Sequence, residues 1–110
     1  MQAKYRLKKN YQYNIVYKKS KSVSDGNFVV LYCKSNQKQS QAGFSVSKKY
    51  GHAVRRNRIR RQMKSVVAKL MPSVIDHRYI VVVPRKHQPY DYATIESSLT
   101  QLFCKAGLLQ

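Results

Sequence analysis

The spacing of apolar residues changes character several times along this chain, and each change marks an element. Phe28–Lys34 reads FVVLYCK, a run rich in β-branched and aromatic residues that predicts a strand. Within Gln41–Lys48, Phe44 and Val46 alternate with Ser45 and Ser47, the period-two pattern of a half-buried strand. After Tyr50-Gly51 the period becomes helical. Ile59, Met63, Val66, Val67 and Leu70 fall on one stripe of a helix from about Ala53 to Leu70, which Pro72 ends. Tyr79–Val83 is unbroken apolar sequence before Pro84 and predicts a strand covered on both faces. Asp91 is placed to cap a last helix whose Tyr92, Ile95, Leu99, Leu102 and Phe103 face the core, with Gly107 as its stop.

The amino-terminal part is more polar. Asn10 is an N-cap candidate for a helix running to about Lys19, with Tyr13 and Tyr17 stacked on one face. Lys18 to Gly26 leaves room for a short strand near Ser22–Ser24, and the polar stretch Ser35–Ser40 reads as the loop of a hairpin. The element order becomes α-β-β-β-α-β-α once the short strand is counted. This is an α+β fold, a small sandwich of helices on a mostly antiparallel four-stranded sheet. A parallel pair can form between the 41–48 and 79–84 strands across the long helix.

Size changes this picture little: 110 residues, 43% of them hydrophobic, suit one domain with its own core. The longest apolar runs are strand-sized and too short to span a bilayer. The basic amino terminus lacks the apolar stretch of a signal peptide, so a cytoplasmic location is expected. Cys33 and Cys104 have no disulfide or zinc spacing and are expected as reduced core thiols.

Charge changes the picture more. The net charge is +18, far beyond what solubility needs, and points to a phosphate backbone or an anionic membrane. Residues 1–75 carry eighteen Lys or Arg against Asp25 alone, whereas residues 76–110 are nearly balanced. The densest run, Lys48 to Lys64, reads KKYGHAVRRNRIRRQMK, with eight basic residues in seventeen and no acid. Like charges three and four apart on a helix repel by roughly 0.2–0.5 kcal/mol per pair, a cost that a polyanion relieves. At 100° per residue, Asn57, Arg58, Arg61 and Lys64 face away from the apolar stripe, while Arg55 and Arg56 project nearer to it, at the leading end.

An autonomous active site is disfavoured. Four carboxylates form no pair, His52, His77 and His87 are scattered, and the two thiols fall at core positions. No glycine cluster makes a phosphate loop. Nine tyrosines and three phenylalanines beside so much positive charge allow a stacking platform for single-stranded bases, although core packing explains any one ring equally well. Phe28, Val30 and Tyr32 share one face of their strand, and Val29, Leu31 and Cys33 the other.

Together these features resemble the protein subunit of bacterial ribonuclease P. The likeness is carried by RRNRIRR at 55–61, FSVSKK at 44–49, YRLKKN at 5–10, and the later YIVVVPRK and SLTQLF segments. It implies a small RNA-binding domain spanning 1–110, with an unusual left-handed β-α-β crossover. It also implies a partnership with a catalytic RNA that removes the 5′ leader of precursor tRNA, in which Mg²⁺ is bound mainly by the RNA and no residue of this chain is catalytic or a metal ligand. By that resemblance Lys48, Lys49, Arg55, Arg56, Asn57, Arg58, Arg60, Arg61 and Lys64 form the surface for the catalytic RNA, from the R-N-R helix and the strand before it. Arg6, Lys8 and Lys9 add basic contacts. A cleft between the first helix and the sheet takes the leader, with Tyr13, Tyr17, Phe28, Val30 and Tyr32 as its residues. The family's cleft aromatic matches Leu31 or Tyr32 depending on register, and Tyr32 is chosen for its chemistry. The alternative is a non-catalytic structural RNA-binding protein such as a ribosomal protein. A membrane-surface binder is weaker still, because the charge is Arg-rich rather than a Lys cluster with exposed Leu or Trp.

Overall fold

Strand β4 (Arg78–Pro84) organises the molecule. In the computed structural model, which describes residues 1–85 and 88–110, Tyr79, Ile80, Val81 and Val82 of this strand are all buried. Its even and odd residues feed two separate cores, as its continuous apolar sequence requires. The other elements are α1 (Asn10–Lys19), β1 (Lys21–Ser24), β2 (Phe28–Lys34), β3 (Gln41–Phe44), α2 (Ala53–Leu70) and α3 (Tyr92–Lys105). The sheet order is β1-β2-β4-β3, with β1–β2 and β2–β4 antiparallel and β3–β4 parallel across α2. Lys86 and His87, which belong to the sequence signals discussed above, lie outside the described residues.

The larger core lies between the sheet and the pair α2 and α3. It joins Phe28, Val30, Ile80 and Val82 to Ile59, Met63, Val66, Val67, Ile95, Leu99 and Phe103. The smaller core lies under α1, where Val16 and Leu7 meet Tyr79 and Val81. The result is three layers, with α1 on one face of the sheet and two helices on the other.

Several local expectations are corrected. Ser35–Ser40 is no hairpin loop, because β4 inserts between β2 and β3; the antiparallel neighbours joined by a tight turn are β1 and β2. The 41–48 strand stops at Phe44 after Ser45 N–H donates to Val82 O at 3.0 Å. The chain then turns through a short 3₁₀ segment, Lys48–Tyr50, which buries Tyr50. Lys48 and Lys49 therefore sit in an exposed turn and not in a strand. Asn10 is the first residue of α1, not its cap. The buried Gln12 does that work, its Oε1 accepting from Lys8 N–H and Lys9 N–H at 3.2 and 3.1 Å. Tyr92 is exposed instead of facing the core, Cys104 is exposed, and Cys33 is half-buried.

Candidate nucleic-acid interface

The basic helix α2 is held by Ile59, Met63, Val66 and Val67, all buried. Fixing that stripe fixes where every cation points. Asn57, Arg58 and Arg61 are exposed on the outer side, while Arg60 and Lys64 are half-buried on the flank nearest β3. Arg60 Nη1 donates to Asn57 Oδ1 at 3.4 Å, which ties the flank to the outer face. Arg55, expected nearer the stripe, is exposed and lies over the Tyr50 ring at 5.5 Å. Gly51, at φ 144°, makes room for it, since a Cβ there would lie 3.1 Å from Arg55 Cδ. Tyr50 is itself anchored, its hydroxyl donating to Gln88 O at 3.0 Å. Arg56, the residue after Arg55, is half-buried.

The cleft side is built by α1. Val16 points into the sheet, and Tyr13 and Tyr17 share one flank, their rings 6.3 Å apart and tilted by 39°. Tyr13 is half-buried and Tyr17 exposed. Gly43 is required beneath Tyr13, because a side-chain Cβ there would overlap the phenol oxygen. The Tyr13 hydroxyl donates to Leu7 O at 3.4 Å. Burial pushes this phenol above its ordinary value, so it remains a neutral hydroxyl beside the cations.

The strand residues assigned to the cleft are corrected. Phe28, Val30 and Tyr32 face the opposite side of the sheet from α1. Phe28 and Val30 are fully buried in the larger core, Phe28 stacked on Tyr90 at 4.9 Å, and Tyr32 packs against the same core. Side chains alternate along a strand, so the α1 side receives Leu31 and Cys33. The face of the sheet under α1 is therefore aliphatic and thiol-bearing, with Leu31, Cys33 and Val83 half-buried around Val81.

A feature that sequence reasoning missed joins the two surfaces. A recess of about 330 Å³ is lined by Arg6, Lys8, Tyr13, Phe44, Arg60 and Lys64. The amino-terminal segment reaches this place by a parallel bridge of Arg6 to Ala42, with Leu7 N–H donating to Ala42 O at 2.9 Å. The only signal in the sequence is that YRLKKN is basic; its addition to the β3 edge is a long-range contact. Lys9 points elsewhere, its ammonium 5.9 Å from the Tyr11 ring.

No carboxylate answers this charge. Among the described residues the one ion pair is Lys69–Glu96 at 3.3 Å, on the seam between α2 and α3. Asp25 accepts from Asn27 N–H and Phe28 N–H at 2.7 and 2.8 Å and from the Ser98 hydroxyl. Asp91 caps α3, accepting from Thr94 N–H at 3.0 Å. Among the described residues no three His, Cys, Asp or Glu side chains come together as a metal site, and none of the helices is long and apolar enough to cross a membrane. Guanidinium and ammonium groups, phenols and an apolar floor can bind phosphates and stack on bases, and the arrangement offers no general acid–base pair.

Comparison with known proteins gives the family. The family model described as Ribonuclease P matches residues 1–107. The ribonuclease P protein component of an Exiguobacterium strain is 34% identical over 110 residues, covering all of this chain and 96% of that protein. That of Finegoldia magna is 38% identical over 104 residues, covering 93% and 90%. Among solved structures, the Staphylococcus aureus RNase P protein superposes with a TM-score of 0.86 at 31% identity, covering 96% of this chain and 98% of that one. The Thermotoga maritima protein gives 0.81 at 28% identity, with 91% and 96% covered. A family match over almost the whole length, relatives more than 30% identical along it, and the same layered sheet together place this chain in the ribonuclease P protein family, as the protein subunit of that enzyme.

Proposed function

We propose that this subunit binds the RNase P RNA through the outer face of α2 and guides the 5′ leader of precursor tRNA along the flank of α1. The observation that carries the reading is the recess shared by Tyr13, Arg60, Lys64, Arg6 and Lys8, where the two surfaces meet without an acidic residue. A strand leaving the RNA-facing helix can enter the tyrosine flank with no break in positive potential. Arg58 and Arg61, exposed on the outer face, each present a planar fork suited to two phosphate oxygens. Tyr17, and Tyr13 over Gly43, offer ring surface for bases, worth roughly 1–3 kcal/mol per stacked base. Such contacts prefer a substrate with a leader over a mature tRNA and require no base-specific readout.

Hard cations such as Mg²⁺ take oxygen ligands, mainly carboxylates, carbonyls, waters and phosphates. The cations and phenols of this surface do not fit such an ion, so Mg²⁺ belongs with the RNA, and so does the cleavage step. Neutralising phosphates where two RNAs meet lowers the Mg²⁺ needed to hold them together. A subunit acting on precursor tRNA in a bacterium works in the cytoplasm.

The test is reconstitution with the cognate RNase P RNA. Precursor-tRNA cleavage at low Mg²⁺ is expected to rise on adding the protein, and the absence of any gain at every Mg²⁺ concentration refutes the reading. Tyr17→Ala should weaken binding of leader-bearing substrate and leave mature tRNA unchanged; equal losses refute the cleft assignment.

A further inference from the structure

Tyr32, turned away from the tyrosine flank, lies in another place with a chemistry of its own. At the sheet corner where β1 begins, a recess of about 360 Å³ is lined by Lys19, Lys21, Tyr32, Cys33, Lys34 and Arg78. Register explains the gathering. Lys34 stands directly opposite Arg78 in the β2–β4 ladder, and Lys21 opposite Tyr32 in the β1–β2 ladder. Lys19 is contributed by the last turn of α1, on the other flank from Tyr13 and Tyr17. Like charges directly opposed across antiparallel strands are destabilising. Among the described residues no ion pair relieves them, and the guanidinium of Arg78 donates to the backbone carbonyls of Asp76 and His77 at 3.3 and 3.1 Å. Both Lys19 and Arg78 act on the Cys33 thiol: burial pushes that thiol up, and the two cations draw it down. Lys19, Cys33 and Arg78 all line the same recess. Tyr32 is packed against the main core, which makes its ring a fixed wall rather than a mobile side chain.

We infer that this corner is a second RNA-strand site, in which phosphates sit among Lys19, Lys21, Lys34 and Arg78 while a ribose or base lies against Tyr32. Four unpaired cations around one ring suit a strand with successive phosphates better than a single small anion. The site is separate from α2 and from the tyrosine flank, and it accounts for like charges facing each other in the sheet. The phosphates can come from a distal part of the leader or from the RNase P RNA. The inference rests on the chain working with these RNAs.

The test uses the reconstituted holoenzyme and a triple variant, Lys19→Gln, Lys21→Gln and Lys34→Gln, all at exposed positions. A matched control neutralises the exposed Lys4, Lys38 and Lys105. Affinity is measured for the RNase P RNA and, in the holoenzyme, for precursor tRNA with a long or a short leader, each across a salt series. The corner variant should lose at least about tenfold in one arm, with the salt slope reduced by about 2, as expected for three phosphate contacts to a single strand. Loss confined to the long leader assigns the phosphates to the leader, and loss in assembly assigns them to the RNase P RNA. A Lys→Arg triple variant should restore binding. No loss in either arm, or an equal loss in the matched control, overturns the site. If the wild-type chain itself fails to bind the RNase P RNA, the functional reading above fails, which is a separate outcome.

Discussion

Helices α2 and α3 lie side by side on the same face of the sheet and bury similar apolar stripes, yet they end and face solvent in opposite ways. The stripe of α3, Ile95, Leu99, Leu102 and Phe103, meets Ile59, Met63, Val66 and Val67 of α2 in one core. At its start α3 has Asp91, whose carboxylate accepts from Thr94 N–H and is held below its ordinary value by the Thr94 side chain and by that N–H. At the start of α2, His52 makes no capping bond, and the first turns that follow carry Arg55, Arg56 and Arg58 where the helix dipole favours anions. The helix that gives up these local gains is the one with the basic outer face. Inner faces report the fold, and the outer face that departs from good helix-building reports the partner.

The largest effects should not distinguish the two helices. Ile59→Ala and Leu99→Ala each remove a fully buried side chain from the shared core. Each should cost about 2–5 kcal/mol in urea unfolding. A marked loss from only one of them would break the idea of a common core.

The next effect concerns the turn that α3 secures. Asp25 accepts from two backbone N–H groups and from Ser98 of α3. Burial raises its pKa, but the bonds from Ser98, Phe28 and Asn27, with Arg85 nearby, bring it below the ordinary 3.8. A lowered carboxylate stabilises the fold fully above its ordinary value and loses that contribution as pH falls through the folded value. Asp25→Ala should lower the thermal midpoint at neutral pH and flatten the acid limb of the stability curve below pH 3.8. An unchanged acid limb refutes this.

Capping comes next. His52→Asn should stabilise α2 by up to about 1 kcal/mol, whereas Asp91→Ala should lower the midpoint through α3. The smallest effect on stability is also the most informative. Arg58→Gln with Arg61→Gln removes like charges three residues apart and should change stability by no more than about 0.5 kcal/mol, in the stabilising direction. Binding of the RNase P RNA should weaken, with a shallower salt dependence. A large stability loss would instead make these arginines structural.

The long helices were readable because their packing is local in sequence. The stripe at Ile59–Leu70 and the signals at Asp91 and Gly107 give α2 and α3 their observed spans. Strand pairing is not local: nothing within Ser35–Ser40 says that residues some forty positions later will separate its flanking strands. The face of β2 was hidden for a related reason. FVVLYC is covered on both sides, so it lacks the alternation that would have assigned Leu31 rather than Tyr32 to α1. The recess beside Tyr13 needed the bridge from Arg6 to Ala42, which no periodicity announces.

The insertion of β4 between β2 and β3 also sets an order of assembly during synthesis. β3 has no strand of the sheet beside it except β4, and Gly43 and Gln41 on β3 are what Tyr13 and Gln12 rest against. Until residues 78–84 have left the ribosome, the amino-terminal helix and the basic helix have no common frame. A nascent chain of this protein thus carries the basic residues of α1 and α2 before β4 is there to hold the two helices in one frame.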